Sequence, residues 1–158
     1  MSHTPRTAWL LPALVVLATC ASLSPTAAQE IAPRAAGSRI ELVVEGLHGG
    51  GHVRAGAYAD AGSWLGSRSV VNCVAPVQGG RARCVMELPR EGAYAIGLFH
   101  DADDDGELDR GVFGVPTEGY GFSRNVGGGL SAPSFASAAL QVAANALVQA
   151  VVRIRYGL

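Results

Sequence analysis

Short segments in which apolar residues occupy every second position constrain the fold of this chain more than any other feature. This repeat is typical of a β-strand with one face on a core and the other in water. The seven segments with strand character are 38–45, 52–59, 71–77, 82–88, 93–100, 136–143 and 147–156. Turn residues separate them. The sequence therefore predicts an all-β fold, a single antiparallel β-sandwich of the Ig-like or prealbumin-like kind.

Two cysteines lie in neighbouring predicted strands. A turn between Gln78 and Gly79 would join these strands as a hairpin that pairs residue 77 with 80, 75 with 82 and Cys73 with Cys84. Both sulfurs would then lie on the inner face, at a cross-strand separation that a disulfide can span. The sequence therefore predicts a disulfide between Cys73 and Cys84.

The N-terminal segment predicts export. Arg6 precedes an apolar stretch at 8–21, and small residues at 26–28 suit a cleavage site. The stretch is too short to span a membrane, and no later segment is long enough to do so. We expect residues 1–28 to be a signal peptide, 29–37 a linker and 38–158 the β-sandwich domain, located in the periplasm or outside the cell. The alternative is a lipoprotein anchored through Cys20.

Charge argues against one class of partner. The chain has 13 acidic residues and 12 arginines and lysines, and removing Arg6 with the signal leaves 13 against 11, a formal charge of −2. Such a domain has no basic surface that would attract nucleic acid. Six of the acids fall within the nine positions 101–109, and this cluster is the main charge feature of the molecule.

The acidic cluster opens a long glycine-rich loop, 101–133, that shows no strand repeat. After it, the alanine-rich stretch 135–147 also fits a helical repeat, so a helix is the alternative to a strand there. Loops of this length inside a small domain are generally functional or held by something other than secondary structure. The acidic cluster is therefore a candidate site for a bound cation that would hold the loop.

The acids follow the spacing of a calcium-binding loop. Asp101, Asp103, Asp105 and Asp109 occupy positions 1, 3, 5 and 9 of that template, and Gly106 stands at position 6, where the chain turns sharply. Position 12 is Val112 rather than glutamate. The candidate ligands for calcium are Asp101, Asp103, Asp105, Glu107, Asp109 and, as a closing ligand from downstream, Glu118. The alternative is a solvated acidic turn held by its own side-chain hydrogen bonds.

Three further residues could form a ligand surface or a catalytic site. His100 ends the predicted strand 93–100 and is either a base or ligand beside the loop or a structural histidine that ties loop backbone to the strand. Tyr120 and Phe122 lie between glycines and could present an aromatic platform to a sugar or peptide, although packing against the core is the commoner role. Ser123 does not stand in the strand–turn–helix motif of a nucleophilic serine.

The motifs together resemble the uncharacterised bacterial DUF2141 family. The matching residues are Tyr94-Ala95-Ile96, Phe99-His100-Asp101, Asp103, Asp105-Gly106, Leu108-Asp109, Phe113-Gly114, Pro116, Glu118-Gly119, Gly121-Phe122-Ser123 and Pro133-Ser134-Phe135. The resemblance covers essentially the whole mature domain. It implies a small exported β-sandwich and supplies no reaction. Asp103 and Asp105 stand where the family often has Asn, which also offers an oxygen ligand.

These observations favour an exported, non-catalytic β-sandwich with a calcium-binding loop that could present a binding surface to an envelope component, a carbohydrate or a peptide. One alternative is a structural envelope module that binds no metal. Another is a hydrolase that uses His100 with a loop aspartate, and against it the sequence offers no nucleophile for His100 to activate.

Overall fold

The computed structural model describes residues 37–112, 114–127 and 131–157, all within one compact unit, Pro33–Leu158. The predicted signal peptide, Cys20 and most of the predicted linker lie outside these residues. The strands are β1 Arg39–Glu45, β2 His52–Tyr58, β3 Val71–Pro76, β4 Arg81–Glu87, β5 Gly92–Asp101, β6 Tyr120–Phe122, β7 Leu140–Val142 and β8 Leu147–Arg153. A 3₁₀ turn, Ser123–Asn125, and one helical turn, α1 Phe135–Ala138, are also present. Within the described part of the chain, no helix is long and apolar enough to cross a membrane.

Two sheets form the sandwich. The first has the order β4-β1-β8, and the second has the order β3-β2-β5-β6, with β7 paired to β5. All described strand pairs are antiparallel except β1 with β8, which is parallel. The predicted all-β sandwich is therefore confirmed, with this one departure from a purely antiparallel arrangement.

The core lies between the two sheets and follows the alternation of the sequence. Ile40, Leu42 and Val44 of β1 are almost completely buried, and Ile96 and Leu98 of β5 face them from the second sheet. Burial of a large aliphatic side chain contributes about 1.5–3 kcal/mol, so the repeat of two in the sequence accounts for the choice of inner face.

The predicted hairpin is wrong, although the disulfide is confirmed. β3 pairs with β2 in the second sheet and β4 pairs with β1 in the first, and among the described residues an isolated β-bridge between Gln78 and Arg81 closes the turn that links them. Cys73 and Cys84 are bonded with their Cα atoms 6.5 Å apart, so the disulfide joins the two sheets rather than two strands of one sheet. Alternation correctly placed both sulfurs on the core side, because either pairing gives the same inner face.

Two further expectations need correction near the C-terminus. The segment predicted as strand 136–143 begins with α1, whose start Ser134 caps by accepting a hydrogen bond from the backbone N–H of Ser137, and becomes a strand only at β7. The predicted loop 101–133 contains β6, which the glycines around Tyr120 and Phe122 hid from the repeat analysis. The irregular connection between β5 and β6 therefore spans residues 102–119.

Candidate metal centre

The acidic loop, residues 102–119, leaves the second sheet at the end of β5 and returns to it at β6. Phe99 pairs with Tyr120 across these two strands, so the loop begins and ends at the same edge of the sheet. Successive residues of a strand point to opposite faces. At the end of β5 this alternation directs His100 towards the core and Asp101 towards the outer face, under the acidic loop.

Three of the six predicted ligands lie together. Asp101, Asp103 and Asp105 each offer one oxygen, and these three oxygens lie within 4.8 Å of one another. Asp101 is completely buried, while the other two are exposed. The turn is made by Asp104 and Gly106, which have positive φ of 64° and 87°. The alternate spacing of the acids and this turn together bring the three carboxylates to one side.

The buried carboxylate of Asp101 is held on one oxygen only. Its Oδ2 accepts hydrogen bonds from Nε of Arg54 and, at 3.1 Å, from the backbone N–H of Gly106. Its Oδ1 is buried and has no hydrogen-bond partner among the described residues. Burial by itself would raise the pKa of this carboxyl, but the hydrogen bond and charge of Arg54, with backbone N–H donors, hold the pKa below its usual value.

Two side chains of β2 bind acids at the start of the acidic loop and at the end of β5 that precedes it. Arg54 binds Asp101, and Nδ1 of His52 lies 2.5 Å from Oδ1 of Asp104. No local pattern in the sequence predicts either contact, because the partners are separated by 47 and 52 residues along the chain. The register of β2 against β5, which pairs His52 with Asp101 and Arg54 with Phe99, is what brings them together.

Glu118 closes the loop by binding its backbone. One carboxylate oxygen accepts from the N–H of Ala102 at 2.9 Å, and the other accepts from the N–H of Asp109 at 3.2 Å. Glu118 therefore connects the two ends of the acidic segment, and calcium ligation by it stays a prediction. Glu107 and Asp109 do not belong to the group of three clustered carboxylates.

The turn between β1 and β2 supports the start of the acidic loop. Gly51 has a φ of +79°, and a Cβ placed on it would lie 2.3 Å from the carbonyl oxygen of Asp101 and 2.9 Å from Cα of Ala102. The two backbones therefore pass at a distance that only glycine allows. By contrast, Gly49 has the same φ of +79° but nothing within 4 Å of its added Cβ.

His100 is buried on the core side, and its ring takes part in a hydrogen-bond network that reaches the surface at His48. Gly50 offers only a carbonyl acceptor, so Nε2 of His100 donates to it at 2.7 Å, and the hydroxyl of Tyr156 then donates to Nδ1 at 2.9 Å. The hydroxyl in turn accepts from the backbone N–H of His48 at 3.0 Å. The backbone that His100 binds is therefore the turn before β2 rather than the acidic loop.

Tyr120 and Phe122 lie on the outer face of the second sheet and outside the main core cluster, and both are half-buried. Phe122 packs near Trp64, with ring centroids 6.0 Å apart, and the indole N–H of Trp64 donates to the carbonyl of Pro133 at 2.7 Å. This aromatic layer covers the outer face over Gly97, whose added Cβ would lie 3.8 Å from Trp64 and 3.9 Å from Phe122. The pair thus forms part of a small outer layer next to the acidic loop.

The donor set of the site suits a hard cation. All three clustered groups are carboxylates, and oxygen is the ligand that calcium and magnesium take from proteins. A soft or borderline metal would favour sulfur or imidazole. The fold and site therefore define a class: a β-sandwich with a carboxylate cluster at the end of its central strand.

Comparison with known proteins identifies the family of the chain. Residues 43–149 match the model of a family described as an uncharacterized protein conserved in bacteria (DUF2141). The chain therefore belongs to this family, as its motifs predicted. No curated protein and no solved structure matches it.

Proposed function

We propose that this chain is an exported, non-catalytic β-sandwich domain whose acidic loop binds calcium. The observation that supports the proposal best is Oδ1 of Asp101, a buried carboxylate oxygen without a hydrogen-bond partner among the described residues, beside two further carboxylates. An unpartnered buried polar atom costs roughly 1–3 kcal/mol. A cation bound between Asp101, Asp103 and Asp105 would remove that cost.

The chemistry favours calcium over magnesium. Calcium accepts six to eight oxygens in a flexible arrangement, so it can combine the three carboxylates with backbone carbonyls and water. Magnesium demands a tighter octahedron and gives up its water reluctantly. Two of the three carboxylates are exposed, which favours an adaptable site of modest affinity. We expect a dissociation constant on the order of 10⁻⁴ to 10⁻³ M, as in extracellular calcium modules.

Two observations support the rest of the proposal. The Cys73–Cys84 disulfide is of the kind that forms and persists in oxidising compartments, in agreement with the predicted signal peptide. His100, which the hydrolase alternative would use with a loop aspartate, is 1% exposed and has both ring nitrogens in hydrogen bonds. A hydrolytic role would require this network to open, and a broad hydrolase screen would test it.

Calcium titration of the purified protein tests the proposal. Addition of calcium should raise the melting temperature, because a ligand at a hundredfold excess over its dissociation constant stabilises the folded state by about 2.7 kcal/mol. Asp103→Ala should abolish this shift without unfolding the sheets, since Asp103 is exposed and contributes no core volume. Glu87→Ala is the matched control, because it removes an exposed acid from β4 in the other sheet and should leave the shift intact.

One specific observation favours the alternative of a structural module without metal. Arg54, His52 and Glu118 already hold the acidic loop with protein groups. If calcium at roughly a hundredfold excess over a dissociation constant of the expected order changes neither the melting curve nor the proteolysis of residues 101–119, the loop is a solvated turn and the structural module is the correct description.

A further inference from the structure

Arg54 occupies a particular place beneath the acidic loop. It projects from β2, donates through Nε to Oδ2 of Asp101, and its side chain is 33% exposed while that of Asp101 is fully buried. Its guanidinium also lies directly under the turn of the loop, since a Cβ on Gly106 would be 3.6 Å from the guanidinium carbon. One positive charge of the protein therefore lies against the carboxylate cluster.

The position of Arg54 has one effect that favours the binding of a cation and one effect that opposes it. Arg54 binds the carboxylate of Asp101 through Oδ2, and Oδ1 has no hydrogen-bond partner in the part of the chain that the structure describes, so Oδ1 is available to a ligand. At the same time its charge compensates Asp101, whose burial as an unpaired ion would be costly. The loop can therefore keep its shape without a divalent ion, and an incoming calcium ion would meet a positive charge next to its buried ligand.

We infer that the guanidinium of Arg54 holds the acidic loop in place when no divalent ion is bound, and that its positive charge lowers the affinity of the loop for calcium. The second half of this inference rests on the proposed function. The first half does not, because it concerns the loop without calcium. Arg54 is on this account a positioning and affinity-determining residue, and β2 supplies it only because strand pairing places it opposite Phe99.

A comparison of Arg54→Gln with Arg83→Gln tests the inference. Both remove one positive charge, but Arg83 is an exposed residue of β4 in the other sheet. In chelator, Arg54→Gln should increase the rate of proteolysis within residues 102–119 at least severalfold over that of wild type, and Arg83→Gln should not. In calcium, Arg54→Gln should bind about tenfold more tightly, the effect of removing a charge several ångströms from the ion in a partly screened site. Arg83→Gln should stay within about twofold of wild type, because it is remote.

Arg54→Lys separates charge from packing. It retains the positive charge without the planar fork of the guanidinium, so calcium affinity should stay close to that of wild type. Clearly tighter binding by Arg54→Lys would overturn the charge argument, as would weaker binding by Arg54→Gln, which would mean that Arg54 only orients Asp101. If Arg54→Gln does not fold, the calcium affinity of Arg54→Lys still tests the charge argument, because only the shape of the cationic group has changed.

The failure of the proposed function gives a different pattern. If neither wild type nor any variant binds calcium, the calcium proposal fails, and the proteolysis in chelator decides the role of Arg54 by itself. Faster cleavage of Arg54→Gln alone would support the inference that Arg54 holds the acidic loop in place. Identical cleavage of Arg54→Gln and Arg83→Gln would overturn it.

Discussion

Two regions of this molecule hold distant segments together by different means. At the corner between β3 and β4, the Cys73–Cys84 disulfide joins the two sheets next to the apolar core. At the end of β5, the acidic loop is held by Arg54, His52 and Glu118 through charged hydrogen bonds. The first needs no partner from solution. The second leaves one buried carboxylate oxygen without a hydrogen-bond partner among the described residues, and we propose that an ion from solution binds there.

The difference follows from which groups each region buries. A disulfide has no charge to desolvate, so it can face a core without compensation. A buried carboxylate needs compensation from positive charge and hydrogen-bond donors. The corner should therefore respond to reductant but not to calcium, and the acidic loop should respond to pH and calcium but not to reductant.

The largest loss of stability should come from a substitution that disrupts the backbone contact between Gly51 and the start of the acidic loop and leaves every charge in place. Gly51→Ala would place a methyl group against the Asp101 backbone at a positive φ, so we expect a loss of about 3 kcal/mol or more in the free energy of unfolding. Gly49→Ala has the same φ and open space around it, so it should cost about 1–2 kcal/mol. Urea denaturation of both variants measures the difference, and equal losses would show that the close approach of the two backbones is unimportant.

Removal of the disulfide should have the next largest effect. Replacing Cys73 and Cys84 together by alanine should cost about 2–3 kcal/mol, because the bond closes a loop over a sequence separation of 11 and restricts the unfolded chain. Equilibrium denaturation under oxidising conditions compares the variant with wild type. Calcium should stabilise both proteins by the same amount, and a loss of the calcium response in the variant would show that the two regions are coupled.

The smallest effect should be that of Asp101→Asn, measured in chelator. The substitution removes a buried charge that Arg54 compensates and should lower the free energy of unfolding at neutral pH by roughly 1–2 kcal/mol. Because the pKa of Asp101 is lowered in the folded state, its contribution to stability is present above the ordinary carboxyl pKa and is lost as the pH falls through the lowered value.

The acid side of the stability curve provides the check on this assignment. Wild type should lose stability more steeply than Asp101→Asn below about pH 4, where an unfolded aspartate takes up its proton. The corner variant that lacks Cys73 and Cys84 should keep the wild-type slope. Parallel acid curves for wild type and Asp101→Asn would assign the acid sensitivity to other carboxylates.

Sequence reasoning succeeded wherever a local pattern decides the outcome. The inner faces of β1, β3 and β4, the bonded cysteines and the family all followed from alternation and motifs. It failed for the pairing of β3 with β4, because alternation gives the same inner face for a hairpin and for a crossing between sheets. It missed β6, whose three residues are too few to show a repeat.

The candidate site shows the same contrast between features that follow from local pattern and features that follow from strand pairing. Local spacing was enough to predict that the acids lie together at 101–109 and that Gly106 turns the chain between them. The three-dimensional fold was needed to show that Asp101 is the buried member, that Arg54 compensates its charge and that Glu118 binds the loop backbone. The physical reason is that local spacing fixes which side chains can converge, whereas burial and charge compensation depend on strands brought into register across 47 residues of chain.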